Sequence, residues 1–161
     1  AERFNKYDSN PLREIGYERM KGRTFRIEGN NQVDSMLAGM EQSAAKFHEV
    51  TEQCKKVYNE LPFQYRQFFK DNLYSQAEFM EYLSKTLYHY VFAFKNEKDT
   101  DVCYRNLALA EENMIQARDA LYSNQHGVFN SWYQGDTNGV KFNMPKIISI
   151  INQLKLQYKK D

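Results

Sequence analysis

The sequence predicts an all-α fold, an antiparallel bundle of four to five helices, several of them long. Apolar residues recur at three- and four-residue steps along most of the chain, with no persistent two-residue alternation to mark a strand. Glycine (7) and proline (3) are scarce among the 161 residues, so few positions favour irregular backbone. The stretches between periodic segments are short, which joins consecutive helices as antiparallel neighbours. The length suits one helical-bundle domain over residues 1–161, or a fragment of a larger enzyme.

The elements follow in order. In "SNPLREIGYERMKGR", Asn10 suits a helix N-cap and Pro11 its first turn, with Leu12, Ile15, Tyr17 and Met20 at loose helical spacing. Gly22 and "IEGNNQ" end or interrupt that helix. The next signal is the clearest. Val33, Met40, Phe47, Cys54 and Leu61 recur every seven residues, with Met36 or Leu37, Ala44, Val50 and Val57 between them. That is an a/d pattern over about four heptads, which Pro62 stops. Pro62 also suits the first position of a third helix, whose stripe is Phe69, Leu73, Ala77 (or Gln76), Met80, Leu83, Leu87, Val91 and Phe94. Asn96 and Glu97 mark a turn, and Thr100 or Asp101 suits the cap of a fourth helix. Its stripe is Cys103, Leu107, Ala110, Met114, Ala117 and Leu121, and Gly127 suits a left-handed residue at its end. Pro145 opens the last helix, with Ile147, Ile148, Ile151, Leu154 and Tyr158 facing inward.

Composition excludes several function classes. The 22 basic and 21 acidic residues give a net charge of +1, which is no footprint for nucleic acid or an anionic membrane. No apolar run approaches the ~20 residues that a membrane helix needs. The opening "AERFNKYDSN" lacks the charged and apolar regions of a signal peptide, which leaves the compartment open. Cys54 and Cys103 sit on apolar stripes, as buried free thiols or as a disulfide between neighbouring helices.

Candidate chemistry is sparse. His48, His89 and His126 have no His or Cys three or four residues away, so no metal site is expected, and no cofactor-binding pattern appears. The run "QGDTNG" fails as a calcium loop: with Asp136 and Asn138 at positions 3 and 5, the first carboxylate and the final glutamate are missing. Glu111 and Glu112 are adjacent, point to different azimuths of a helix, and read as solvated surface rather than a catalytic pair. No nucleophile elbow is present, so no catalytic residue is expected. What stands out is aromatic: 12 Tyr, 11 Phe and one Trp. "FQYRQFF" (63–69) and "LYHYVFAF" (87–94) carry aromatics on more than one face, which implies cover on two sides, by another helix or by a neighbouring domain. "HGVFNSWYQGDTNG" (126–139) gathers three glycines around Phe129, Trp132, Tyr133 and Asp136. It reads as a corner that plugs the bundle end, or as a binding site.

"VYNELPFQYRQFFKDNLYS" (57–75) and "HGVFNSWYQGD" (126–136) together resemble the helical region that follows the catalytic barrel in family 115 glycoside hydrolases, the xylan α-glucuronidases, and in related multidomain carbohydrate enzymes. The chain departs from that pattern at Phe129, where Trp is expected, and at Ser75, where Pro is expected. The resemblance implies a non-catalytic helical accessory domain that packs against an upstream catalytic domain, with an extracytoplasmic location. It implies carbohydrate as a possible ligand, met by Trp132, Tyr133, Asp136 and His126. The alternative is a stand-alone helical module that holds a partner protein in an aromatic groove.

Overall fold

The computed structural model of the protein describes residues 30–127 and 143–159, with side chains from residue 33 onward. The described residues are helical, in four rods. The first is α1 (Asn30–Glu60). The second runs unbroken through α2 (Phe63–Phe69), a π-helical turn (Lys70–Tyr74) and α3 (Ser75–Lys95). Then come α4 (Thr100–Tyr122) and α5 (Met144–Leu156). The helix expected around Pro11 lies outside the described residues.

Local chemistry sets the breaks. Pro62 ends α1 and takes the N-cap of α2 rather than its first helical position, with φ −53° and ψ 142°. Arg66 closes the corner from below: its Nε donates to the Leu61 carbonyl at 2.8 Å and its Nη2 to the Asn59 carbonyl at 3.0 Å. The cap of α4 is Asp99, not Thr100 or Asp101, and its carboxylate accepts from the Val102 N–H at 3.1 Å. Asn143 caps α5 in the same way, accepting from the Lys146 N–H at 3.0 Å, with Pro145 in the first turn. Gly127 is left-handed at φ 54°, a few residues beyond the end of α4.

The core is built around α4. Cys103, Leu107, Ala110, Met114 and Ala117 are fully buried, as the periodicity requires, and Leu121 nearly so. The small residues in this stripe let neighbouring helices approach closely. Ile147, Ile151, Leu154 and Tyr158 of the last segment join them, together with Tyr90, Val91 and Ala93 of α3 and Val33 and Leu37 of α1. Much of the aromatic excess, including Phe79, Tyr82, Tyr88, Phe92, Phe94 and Tyr104, is half-buried around this core. Both cysteines are buried free thiols.

Two stripes depart from expectation, in the same way. On α1 the seven-residue series holds, but Val50 and Val57 are exposed while Thr51 is buried. The seam keeps a strict four-residue step after Phe47, onto Thr51, whose hydroxyl donates to the Phe47 carbonyl at 2.9 Å. On the second rod Leu73 and Met80 are exposed, while Ser75, Glu81 and Ser84 are buried. The rest of the expected stripe stays inside, with Ala77, Leu83 and Val91 buried and Leu87 and Phe94 packed on the core, so the departure is local to Leu73 and Met80.

Candidate functional site

Of the four residues singled out from the sequence, His126 is described; Trp132, Tyr133 and Asp136 lie outside the described residues. His126 sits past the end of α4, against the π turn of the second rod. Its Nε2 lies 2.8 Å from Asp71 Oδ2. A carboxylate only accepts, so Nε2 carries the proton and donates. Gln67 Nε2 lies 3.2 Å from the same ring nitrogen and donates to Asp71 Oδ1 at 2.8 Å. One turn on, the Ser75 hydroxyl donates to Asn124 Oδ1 at 2.9 Å across the buried interface.

Spacing makes this arrangement. Gln67, Asp71 and Ser75 follow at four-residue steps along the second rod, and the end of α4 lies against that row. Serine, histidine and aspartate thus stand close, but they do not form a nucleophilic set. Ser75 is fully buried and its proton goes to Asn124. The cluster ties the end of α4 to the second rod. Asn124 Nδ2 and Gln125 Nε2 are buried donors with no hydrogen-bond partner among the described residues. Sequence reasoning missed Gln67, Asp71, Ser75 and Asn124, because a polar row at four-residue spacing looks like solvated surface until the tertiary contact with the end of α4 is known.

A second polar group lies in the α1–α3 seam. Glu81, 4% exposed, accepts from His48 Nδ1 at 3.0 Å and Lys85 Nζ at 2.5 Å, with Thr51 beside it. Burial pushes its carboxyl up, but hydrogen bonds from Lys85, Thr51 and His48 outweigh that and hold it below the usual glutamate range. Nearby Glu78 goes the other way. Burial pushes it up and the Glu81 charge adds to this, against the pull of Lys70, Lys55 and the Tyr74 hydrogen bond. Burial and the Glu78 charge also raise the Cys54 thiol, which is therefore a poor nucleophile.

Glu78 yields a testable sign. An acid whose pKa is raised on folding favours the fold while protonated, and that gain is lost as pH rises through its folded value. Glu78→Gln removes the ionisation and keeps an acceptor for Tyr74. The variant is expected to have a higher urea midpoint than the parent at neutral pH, with the difference vanishing in mild acid. A lower midpoint at neutral pH would show that the carboxylate is needed in its charged form.

A third group corrects the reading of Glu111 as solvated surface. Its carboxylate is 15% exposed and accepts from Asn152 Nδ2 at 2.5 Å and from Lys155 Nζ, both on α5. Glu112 is exposed. Among the described residues no group of three or more His, Cys, Asp or Glu side chains is placed to hold a metal ion. Nor is any described helix long and apolar enough to cross a membrane.

The largest exposed apolar side chains mark another surface. Phe63 is 88% exposed, Phe68 72% and Tyr65 55%, all on α2. This aromatic corner is the "FQYRQFF" stretch, and the described bundle covers only part of it. Comparison with protein-family models, curated proteins and solved structures finds no match for this chain.

Proposed function

We propose that this chain is a non-catalytic helical accessory domain of a carbohydrate-active enzyme, an antiparallel bundle that packs against an upstream catalytic domain. The observation that carries the packing role is the aromatic corner. Three aromatic rings on a seven-residue helix stand more than half in water, and a partner packed on this corner would cover them. That the partner is a catalytic domain rests on the resemblance of residues 57–75 and 126–136.

The side-chain ladder supports the antiparallel arrangement. Between α1 and α3, His48 meets Glu81 and Asp34 meets Lys95, so numbers rise on one helix as they fall on the other. Between α3 and α4, His89 meets Asn106 and Ser75 meets Asn124, with the same sense. Short connections, such as 96–99 between α3 and α4, favour the same geometry.

The natural reading frame around this chain supplies the first test. A frame encoding a catalytic barrel upstream allows the two-domain protein to be made with and without Phe63→Ser and Phe68→Ser. One cooperative thermal transition is expected for the parent and two for the variant, since these exposed residues add nothing to the isolated bundle. A frame ending near both termini of this chain would remove the accessory role and favour the stand-alone module. Glycan contact by Trp132, Tyr133, Asp136 and His126 has its own test. Xylan-derived oligosaccharides are expected to change the fluorescence of the single tryptophan, and no change at millimolar concentration would count against it.

A further inference from the structure

We propose that α1 pairs with α1 of a second copy of this chain, antiparallel, about a two-fold axis at Gln53. The outer face of α1 reads as its own complement. Centred on Gln53, Lys46 and Glu60 lie seven residues to either side, both exposed. Reversing one copy sets Lys46 against Glu60 of the other, twice over. Glu49 and Lys56, also exposed, come within one residue of each other on the same flank under this operation. Val50, 39% exposed, meets Val57, 42% exposed. One rotation thus satisfies both ionic sets and the apolar pair, which is what an isologous contact requires.

Helical geometry sorts these residues into sides. At ~100° per residue, Lys46, Gln53 and Glu60 form the centre line, Val50 and Val57 lie on the flank toward α3, and Glu49 and Lys56 on the other. The second rod extends the apolar flank with Leu73, 49% exposed, and Met80, 36% exposed. The His48–Glu81 and Tyr58–Tyr74 contacts bring these two residues alongside Val50 and Val57. In the pair, the apolar flanks of both copies fall on the same side and close over one another. The charged flanks fall on the opposite side, near solvent. The paired stretch 46–60 spans about 21 Å, three to four helical turns. None of Lys46, Glu49, Lys56 and Glu60 takes part in an ion pair among the described residues. The pairing uses none of Phe63, Tyr65 and Phe68, and it stands whether or not the accessory role does.

The test is a charge swap on the whole chain, read by sedimentation equilibrium, with circular dichroism to verify that each variant keeps its helix content. The parent is expected to form a concentration-dependent dimer that weakens with added salt. Lys46→Glu sets Glu against Glu60 of the other copy at both ends and is expected to raise the dissociation constant about tenfold or more. Lys46→Glu with Glu60→Lys restores opposite charges and is expected to recover the parent value. A parent that stays monomeric at all concentrations overturns the pairing, as does a double variant no tighter than the single one. A dimer abolished by Phe63→Ser but indifferent to Lys46→Glu would place the second copy on the aromatic corner instead, and overturns it equally.

Discussion

Leu107→Ala is expected to destabilise the protein by ~2–5 kcal/mol, whereas Leu109→Ala on the same helix is expected to change stability by less than ~0.5 kcal/mol. Both substitutions make the same change in helix propensity, so the comparison isolates burial. Leu107 is fully buried on the inner stripe of α4, while Leu109 is 41% exposed. Removing the Leu107 side chain loses its transfer free energy and leaves a cavity that must be filled by movement. Little slack is available for that, because the same stripe is built from Cys103, Ala110 and Ala117, which hold neighbouring helices close. At roughly 2–4 °C per kcal/mol for a chain of this size, the melting point falls by ~4–20 °C. Urea unfolding followed by far-UV circular dichroism measures both variants. Equal losses at 107 and 109 would mean that α4 does not present this face to the core.

That prediction uses a stripe that the sequence made plain. Every apolar position expected on α4 is buried, and those on α5 are buried or packed against the core, because each of these faces meets the interior with apolar side chains alone. Periodicity reports such a face without ambiguity. It fails where a polar residue holds an inward position. In the α1–α3 seam, Thr51 and Glu81 take the inner places and their apolar neighbours Val50 and Met80 turn outward. A reading that prefers the more apolar of two adjacent residues picks the wrong one on both helices. The four displaced side chains, Val50, Val57, Leu73 and Met80, are the apolar flank that the second copy is proposed to cover. The cluster around His126 was hidden for a different reason. Gln67, Asp71 and Ser75 form a polar row at four-residue steps, which reads as a solvated face until the end of α4, with Asn124 and His126, comes against it. Most of the glycine–aromatic segment lies outside the described residues, so of its proposed ligand contacts only His126 has a place in the fold.

Lys85→Met is expected to cost about 1–3 kcal/mol at neutral pH, with the penalty shrinking in acid. Methionine preserves the apolar stem that Lys85 lays near the Tyr82 ring and removes only the ammonium, which sits 5.3 Å from that ring centre. What is lost is the principal hydrogen bond to Glu81, whose side chain is 5% exposed. His48 and Thr51 remain, but burial, the largest influence on this carboxyl, then goes largely uncompensated and drives it upward. The sign with pH follows. In the parent, the Glu81 carboxyl lies below its unfolded value, so its stabilisation is present above the usual carboxylate range and is lost as pH falls through the folded value. In Lys85→Met the carboxylate is a buried charge with too few donors, unfavourable at neutral pH and relieved once it protonates. The two stability curves therefore converge as pH falls. Because the side chain of Lys85 is 35% exposed, the loss stays under the ~3–5 kcal/mol typical of breaking a fully buried pair. Adding Glu81→Gln to Lys85→Met removes the stranded charge and is expected to recover part of the neutral-pH loss. Equal destabilisation at neutral and acid pH, with no recovery in the double variant, would mean that Lys85 acts through its packed stem and that Glu81 is held by His48 and Thr51 alone.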